Sequence, residues 1–65
     1  MKRALRLMDI VRRLKDRRYT AQELASLYAV HRRTIQRDLA ELQAFPEYAP
    51  LVYSVRREWA AMKAE

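Results

Sequence analysis

The sequence predicts a mostly α-helical fold with a small β element, in which a core of three helices is followed by a short β-hairpin. Apolar side chains recur at the spacing of an amphipathic helix in residues 2–17 and again in residues 32–43. A capping-box sequence begins a shorter helix between them. Beyond Pro46 the pattern changes to β-branched and aromatic residues, which is typical of a strand. The length of 65 residues fits one domain, 1–65, with a small core.

Composition narrows the possible functions. The net charge of +6 favours a polyanionic partner, with nucleic acid ahead of an anionic membrane surface, and the whole excess lies in residues 1–18. With no Cys and a single His, we expect no disulfide, no metal site and no cofactor. The single His, the lack of Cys and the absence of a glycine-rich phosphate loop and of paired carboxylates argue against an enzyme. No membrane-spanning or signal segment is present, so we expect a cytoplasmic protein that associates with the nucleoid when bound to DNA.

The first helix is predicted over about residues 2–17. Its apolar stripe consists of Ala4, Leu7, Ile10, Val11 and Leu14. Leu5 and Met8, together with Met1, widen this apolar surface, either as extra core or as a dimer contact. Because so small a core gives little stability, we expect a homodimer.

The second helix is predicted over about residues 21–28. It begins with a capping box, in which Thr20 is the N-cap and Glu23 is the third helical residue. Free N–H groups at such a helix start can hold a phosphate. Arg17 and Arg18 lead directly into this helix start, so we predict that they and Thr20 contact a nucleic-acid backbone.

The third helix, about residues 32–43, follows after roughly three residues, the spacing of a helix-turn-helix. At about 100° per residue, one side of this recognition helix carries Ile35, Leu39 and Leu42. The opposite side and its flanks carry Arg33, Thr34, Gln36, Arg37 and Ala40.

Arginine can pair with two acceptors of guanine, and glutamine with adenine, in the major groove of DNA. We therefore predict base contacts from Arg33, Gln36 and Arg37, and backbone contacts from Arg32 and Thr34. These assignments make double-stranded DNA the expected partner.

The series Glu23-Leu24-Ala25, Val30, Arg33-Thr34-Ile35 and Arg37-Asp38-Leu39 resembles the pattern of DeoR-type and biotin-repressor-type winged helix-turn-helix repressor domains. The resemblance implies a small sequence-specific transcriptional regulator, a repressor. DeoR-type repressors have a large effector-sensing domain after the DNA-binding part, whereas this sequence ends soon after the wing, so we expect no effector domain and no small-molecule effector here. Two positions depart from the pattern, since Ala29 stands where Gly is usual in the turn and His31 where a Ser-like N-cap is usual. The turn must therefore accept strain at Ala29 or adopt another conformation.

The resemblance also places a wing in residues 51–62. Its strands would be residues 51–55 and 59–62, joined at Arg56-Arg57-Glu58, and both arginines would contact the DNA backbone. No Gly, Asn or Asp stands at this turn, and residues 58–63 have helix-forming composition, so a terminal helix is the alternative to the hairpin.

Other functions fit the same scaffold. The alternatives are a protein-interaction module, acting as inhibitor or adaptor, and a recombination directionality factor. A regulatory protein partner is also compatible with so small a regulator, whereas a membrane partner is not expected.

Overall fold

The computed structural model describes residues 2–55, which contain four helices. Helix α1 spans Arg3–Asp16, α2 spans Ala21–Tyr28 and α3 spans Arg32–Gln43. A fourth helix, α4, begins at residue 49 and continues to residue 55, the last that the structure describes. The first three helices lie within about a residue of the bounds that periodicity and capping predict.

All four helices contribute to one apolar core. Its largest fully buried aliphatic side chains are Ile10, Leu24, Ile35, Val52 and Val55. On α3 the buried apolar residues, Ile35, Leu39 and Leu42, are separated by three or four positions, as expected for a helix with one face on the core. The opposite face of α3 is therefore left for solvent or a ligand.

The prediction of a mostly α fold with a small β-hairpin is wrong. Residues 51–55, expected as the first strand of the wing, are helical, and no strand occurs within residues 2–55. Val52 and Val55 are both buried, a spacing of three that fits a helix, whereas a strand would turn them to opposite faces. Pro50 lies in the first turn of α4, where its missing N–H removes no helical hydrogen bond. The second predicted strand, residues 59–62, lies outside the described residues.

The apolar surface of α1 is wider than the core needs. Ile10, Val11 and Leu14 are buried as predicted, but Leu5 is 58% and Met8 70% exposed. Of the two interpretations, extra core is therefore wrong for Leu5 and Met8 in the part of the chain that the structure describes, and Met1 lies outside the described residues.

Within residues 2–55, every helix is too short or too polar to cross a membrane.

Candidate DNA-binding surface

The turn between α2 and α3 sets the direction of α3. Ala29 adopts the left-handed conformation, with φ 53° and ψ 45°. The Val30 N–H donates to the Ala25 carbonyl at 3.0 Å and the Ala29 N–H to the Ser26 carbonyl at 3.3 Å, which together form a Schellman motif. Of the two possibilities left open by the sequence, the turn accepts strain, at a position where glycine would cost less.

Helix α3 begins with a side-chain cap from His31. Its Nδ1 accepts a hydrogen bond from the Arg33 N–H at 3.1 Å. This ring nitrogen can accept only while it carries no proton. The cap satisfies one of the free N–H groups at the start of the helix.

The exposed face of α3 is cationic. Arg33, Arg37 and Ala40 are exposed and Gln36 is half-buried beside them; we call these four residues the α3 surface. The structure therefore brings together all three residues predicted to contact bases. Neither arginine forms an ion pair with another residue in the described range, so both guanidinium groups are available to a ligand.

Several of the predicted backbone contacts lie at the starts of two helices. Arg32 is exposed and Thr34 half-buried in the first turn of α3. Thr20 forms the predicted capping box, since its Oγ1 accepts from the Glu23 N–H at 3.1 Å and its own N–H donates to Glu23 Oε1 at 2.9 Å. These hydrogen bonds hold the pKa of Glu23 below its usual value. The Thr20 hydroxyl still has a proton to donate.

Arg17 and Arg18, between α1 and α2, are in different states. The Arg17 guanidinium stacks on the Tyr19 ring, 3.8 Å from its centroid, and donates to the Arg18 carbonyl at 2.8 Å. It also lies 3.6 Å from Glu23 Oε2. Arg18 is exposed and forms no ion pair within residues 2–55. Of this pair, Arg18 is the more available to phosphate.

All four arginines of α1 are paired with carboxylates. Arg12 and Arg13 both bind Asp9, and Arg3 and Arg6 bind carboxylates of α3. The sequence places the excess positive charge in residues 1–18, but ion pairing neutralises much of it locally. The arginines left without a carboxylate partner in the described residues are Arg18, Arg32, Arg33 and Arg37.

A buried ion pair joins α1 to α3. Asp38 is 1% exposed, and Arg6, 11% exposed, donates from Nε to Oδ2 at 2.5 Å and from Nη2 to Oδ1 at 3.2 Å. The hydrogen bond to Asp38 raises the pKa of Arg6. Arg3 reinforces the contact, lying 3.6 Å from Asp38 and 2.6 Å from Glu41. Asp38 therefore fixes α3 against α1 and faces away from the α3 surface.

A second polar contact joins α1 to the end of α2. The Tyr28 hydroxyl donates to Asp9 Oδ2 at 2.6 Å, and Arg12 and Arg13 bind the same carboxylate. The hydrogen bond from Tyr28, followed by that from Arg12, holds the pKa of Asp9 well below its usual value. Burial and the hydrogen bond to Asp9 raise the pKa of Tyr28 to about 12. Tyr28 is the last residue of α2, so this contact anchors the turn that directs α3.

The sequence pattern predicts only part of these two polar contacts. A carboxylate at Asp38, on the same side of α3 as Leu39 and Leu42, signals the need for a buried cation. The choice of Arg6 as its partner could not be made from periodicity, since α1 contains several other basic residues that were equally good candidates. The Tyr28 hydroxyl gave no local signal of its partner. Arg56 and Arg57, the predicted wing contacts, lie outside the described residues.

A short helix, a three-residue turn and a second helix with an exposed cationic face define a helix-turn-helix DNA-binding domain. Comparison with protein-family models gave a match to an HTH domain family over residues 6–57. This match spans most of the chain, which therefore belongs to the helix-turn-helix domain family of DNA-binding regulators. It supports the helix-turn-helix domain without assigning the DeoR or biotin-repressor type. No curated protein and no solved structure matched the chain significantly.

Proposed function

We propose that this helix-turn-helix protein is a sequence-specific regulator of transcription that binds double-stranded DNA and acts as a repressor. Helix α3 lies in the major groove, where Arg33, Gln36 and Arg37 contact base edges. Repression follows when the bound protein occupies DNA that the transcription machinery needs.

The distribution of unpaired arginines supports this proposal more than any other observation. The α3 surface carries Arg33 and Arg37, and Arg32 lies one residue before them, all without a carboxylate partner in residues 2–55. The arginines of α1, in contrast, bind Asp9, Asp38 and Glu41. Unpaired guanidinium groups lose no ion pair when they bind a nucleic acid, so the α3 surface is where binding costs least.

The flanking residues position the domain without reading sequence. Arg18 and Arg32 supply charge to phosphates, and the hydroxyl groups of Thr20 and Thr34 donate hydrogen bonds to them. Arg17 belongs to the same group, but its contacts with Tyr19 and Glu23 compete with phosphate, so its contribution is the smaller one. Arg56 and Arg57 are assigned to the backbone group from the sequence alone.

Selection of bound sites from a random duplex pool tests this function and returns the sequence recognised. Binding of variants is then measured on the selected site and on a scrambled duplex at several salt concentrations. Arg37→Ala should lose roughly 1–3 kcal/mol on the selected site and little on the scrambled one. Arg18→Ala should weaken both equally and reduce the salt slope by about one unit.

Arg12→Ala is the matched control, because it removes the same charge from an exposed arginine that binds Asp9. It should change the affinity for the selected site much less than Arg37→Ala does. Equal losses on both duplexes for Arg37→Ala and Arg18→Ala would contradict the division into base and backbone contacts. Absence of binding even at low salt would contradict the function and favour a protein-interaction module.

The remaining expectations complete the proposal. The protein acts as a homodimer, with a regulatory protein as a further partner, and it has no enzymatic activity. Its place of action is the cytoplasm, where its DNA target lies. A recombination directionality factor would also bind DNA specifically, and in vitro transcription from a promoter containing the selected site separates it from a repressor.

A further inference from the structure

An apolar groove lies between α1 and the segment that connects α3 to α4. It has a volume of about 650 Å³. Its apolar walls are formed by Leu7, Met8, Val11, Leu42, Phe45 and Tyr48. The predicted contacts with DNA use none of these residues.

The groove faces away from the α3 surface. Leu42 lines the groove and is buried, and at 100° per residue it lies about 140° around α3 from Arg37. A molecule bound in the groove would therefore leave the arginines of the α3 surface exposed.

The groove is bordered by apolar side chains that project into solvent. Met8 is 70% and Phe45 50% exposed, although both also line the groove. One surface thus carries both a cavity and the apolar groups that fit such a cavity. A two-fold symmetric contact needs this combination, because the same patch must serve both partners.

The charges around the groove are also self-complementary. Lys15 lines the groove, and Glu47 lies between Phe45 and Tyr48 in the connecting segment. Neither side chain forms an ion pair with another residue in the range 2–55. The other cation of the lining, Arg12, is already bound to Asp9. The lining thus contributes one unpaired cation and the connecting segment one exposed, unpaired carboxylate, a combination that fits a second copy of the chain better than an acidic partner.

We propose that this groove is the interface of a symmetric homodimer. Met8 and Phe45 of each copy enter the groove of the other, and Lys15 of each copy pairs with Glu47 of the other. The proposal rests on the homodimer of the proposed function and assigns the residues of its interface. Both copies keep the α3 surface exposed, so the dimer can bind two half-sites.

Sedimentation equilibrium of the full chain tests the interface, using Met8→Gln and Leu27→Gln as a matched pair. Leu27 is also exposed and apolar, but it lies on α2 outside the groove. Met8→Gln should weaken dimerisation about 100-fold, because a symmetric pair loses two buried side chains and each is worth on the order of tenfold. Leu27→Gln should leave the dimer unchanged.

Charge exchange identifies the partner as a second copy. Lys15→Glu and Glu47→Lys should each weaken dimerisation, and the double variant should recover it, since the pair is restored with reversed signs. Circular dichroism checks that each variant is folded. A wild-type chain that stays monomeric at high micromolar concentration would overturn the proposal, as would equal effects of Met8→Gln and Leu27→Gln or no recovery in the double variant.

Binding to a single half-site separates this proposal from the proposed function. Met8→Gln should bind an isolated half-site as the wild type does and lose affinity only for the paired site. If no variant binds DNA but the dimer responds as expected, the interface stands and the proposed function fails.

Discussion

Replacing Ala29 by glycine should stabilise the protein. At φ 53° an alanine costs about 1–2 kcal/mol relative to a residue without a Cβ atom. About 0.4–1 kcal/mol of this gain is lost, because glycine gives the unfolded chain more conformational freedom. The exposed methyl group has little packing to lose, and both Schellman hydrogen bonds come from the backbone. The net gain should be about 0.5–1 kcal/mol, which raises Tm by roughly 2–8 °C in a domain of this size.

Urea and thermal unfolding followed by far-ultraviolet circular dichroism measure this gain. Ala40→Gly is the matched control, because Ala40 is exposed inside α3 with a right-handed backbone, where glycine should cost about 1 kcal/mol. The two identical substitutions should therefore shift Tm in opposite directions, and the slope of the unfolding free energy against urea concentration should stay the same. A Tm for Ala29→Gly that is unchanged or lower would show that φ at Ala29 is not positive, and the described turn would be wrong.

Three further predictions concern the contacts that hold α3. Tyr28→Phe should lower the free energy of unfolding by about 1.5 kcal/mol at neutral pH, the lower end for a hydrogen bond to a charged group. Folding lowers the pKa of Asp9, so this loss should become smaller as the pH falls below about 3.8, which acid unfolding curves measure. Asp38→Ala should lower the free energy of unfolding in urea by about 3 kcal/mol, because it leaves Arg6 buried without a partner. Adding Arg6→Met should recover much of this loss. Additive losses of the two substitutions would contradict a coupled pair. His31→Ser should raise Tm slightly by supplying a stronger N-cap, about 0.5–1 kcal/mol, and an unchanged Tm would show that the imidazole caps equally well.

The first three helices could be predicted because each has a local signal. The capping box of Thr20 and Glu23 is confirmed by its two hydrogen bonds. Apolar residues at helical spacing placed α3 with its cationic face outward, which is the orientation found. Elements with their own periodicity or cap thus needed no knowledge of the tertiary structure.

The fourth helix could not be predicted in the same way. β-Branched residues at Val52 and Val55 favour a strand locally, whereas the core accepts both only when they lie on one helical face. Packing against the first three helices decides between these states, and such packing is not visible in a short segment of sequence. The resemblance to winged domains strengthened the wrong choice.

The cations that are available to a ligand could not be predicted from the sequence either, for a related reason. Counting charges along the chain places the whole positive excess in residues 1–18. The fold brings Asp38 and Glu41 of α3 against Arg3 and Arg6, and it places Asp9 beside Arg12. Contacts between residues far apart in sequence thus decide which cations are available, and linear composition records only their sum.

The same ion pairs explain how a small domain can hold a recognition helix in a defined direction. Helix α3 is attached to α1 through Asp38 and Arg6, and the turn that precedes it is attached through Tyr28 and Asp9. Both contacts lie away from the α3 surface, and both use arginines of α1 that would otherwise add nonspecific attraction for phosphate. The arginines of the first helix that form these ion pairs therefore help to hold α3 in position. Discrimination between DNA sequences depends on orientation, because a bidentate contact requires its two hydrogen bonds to align together.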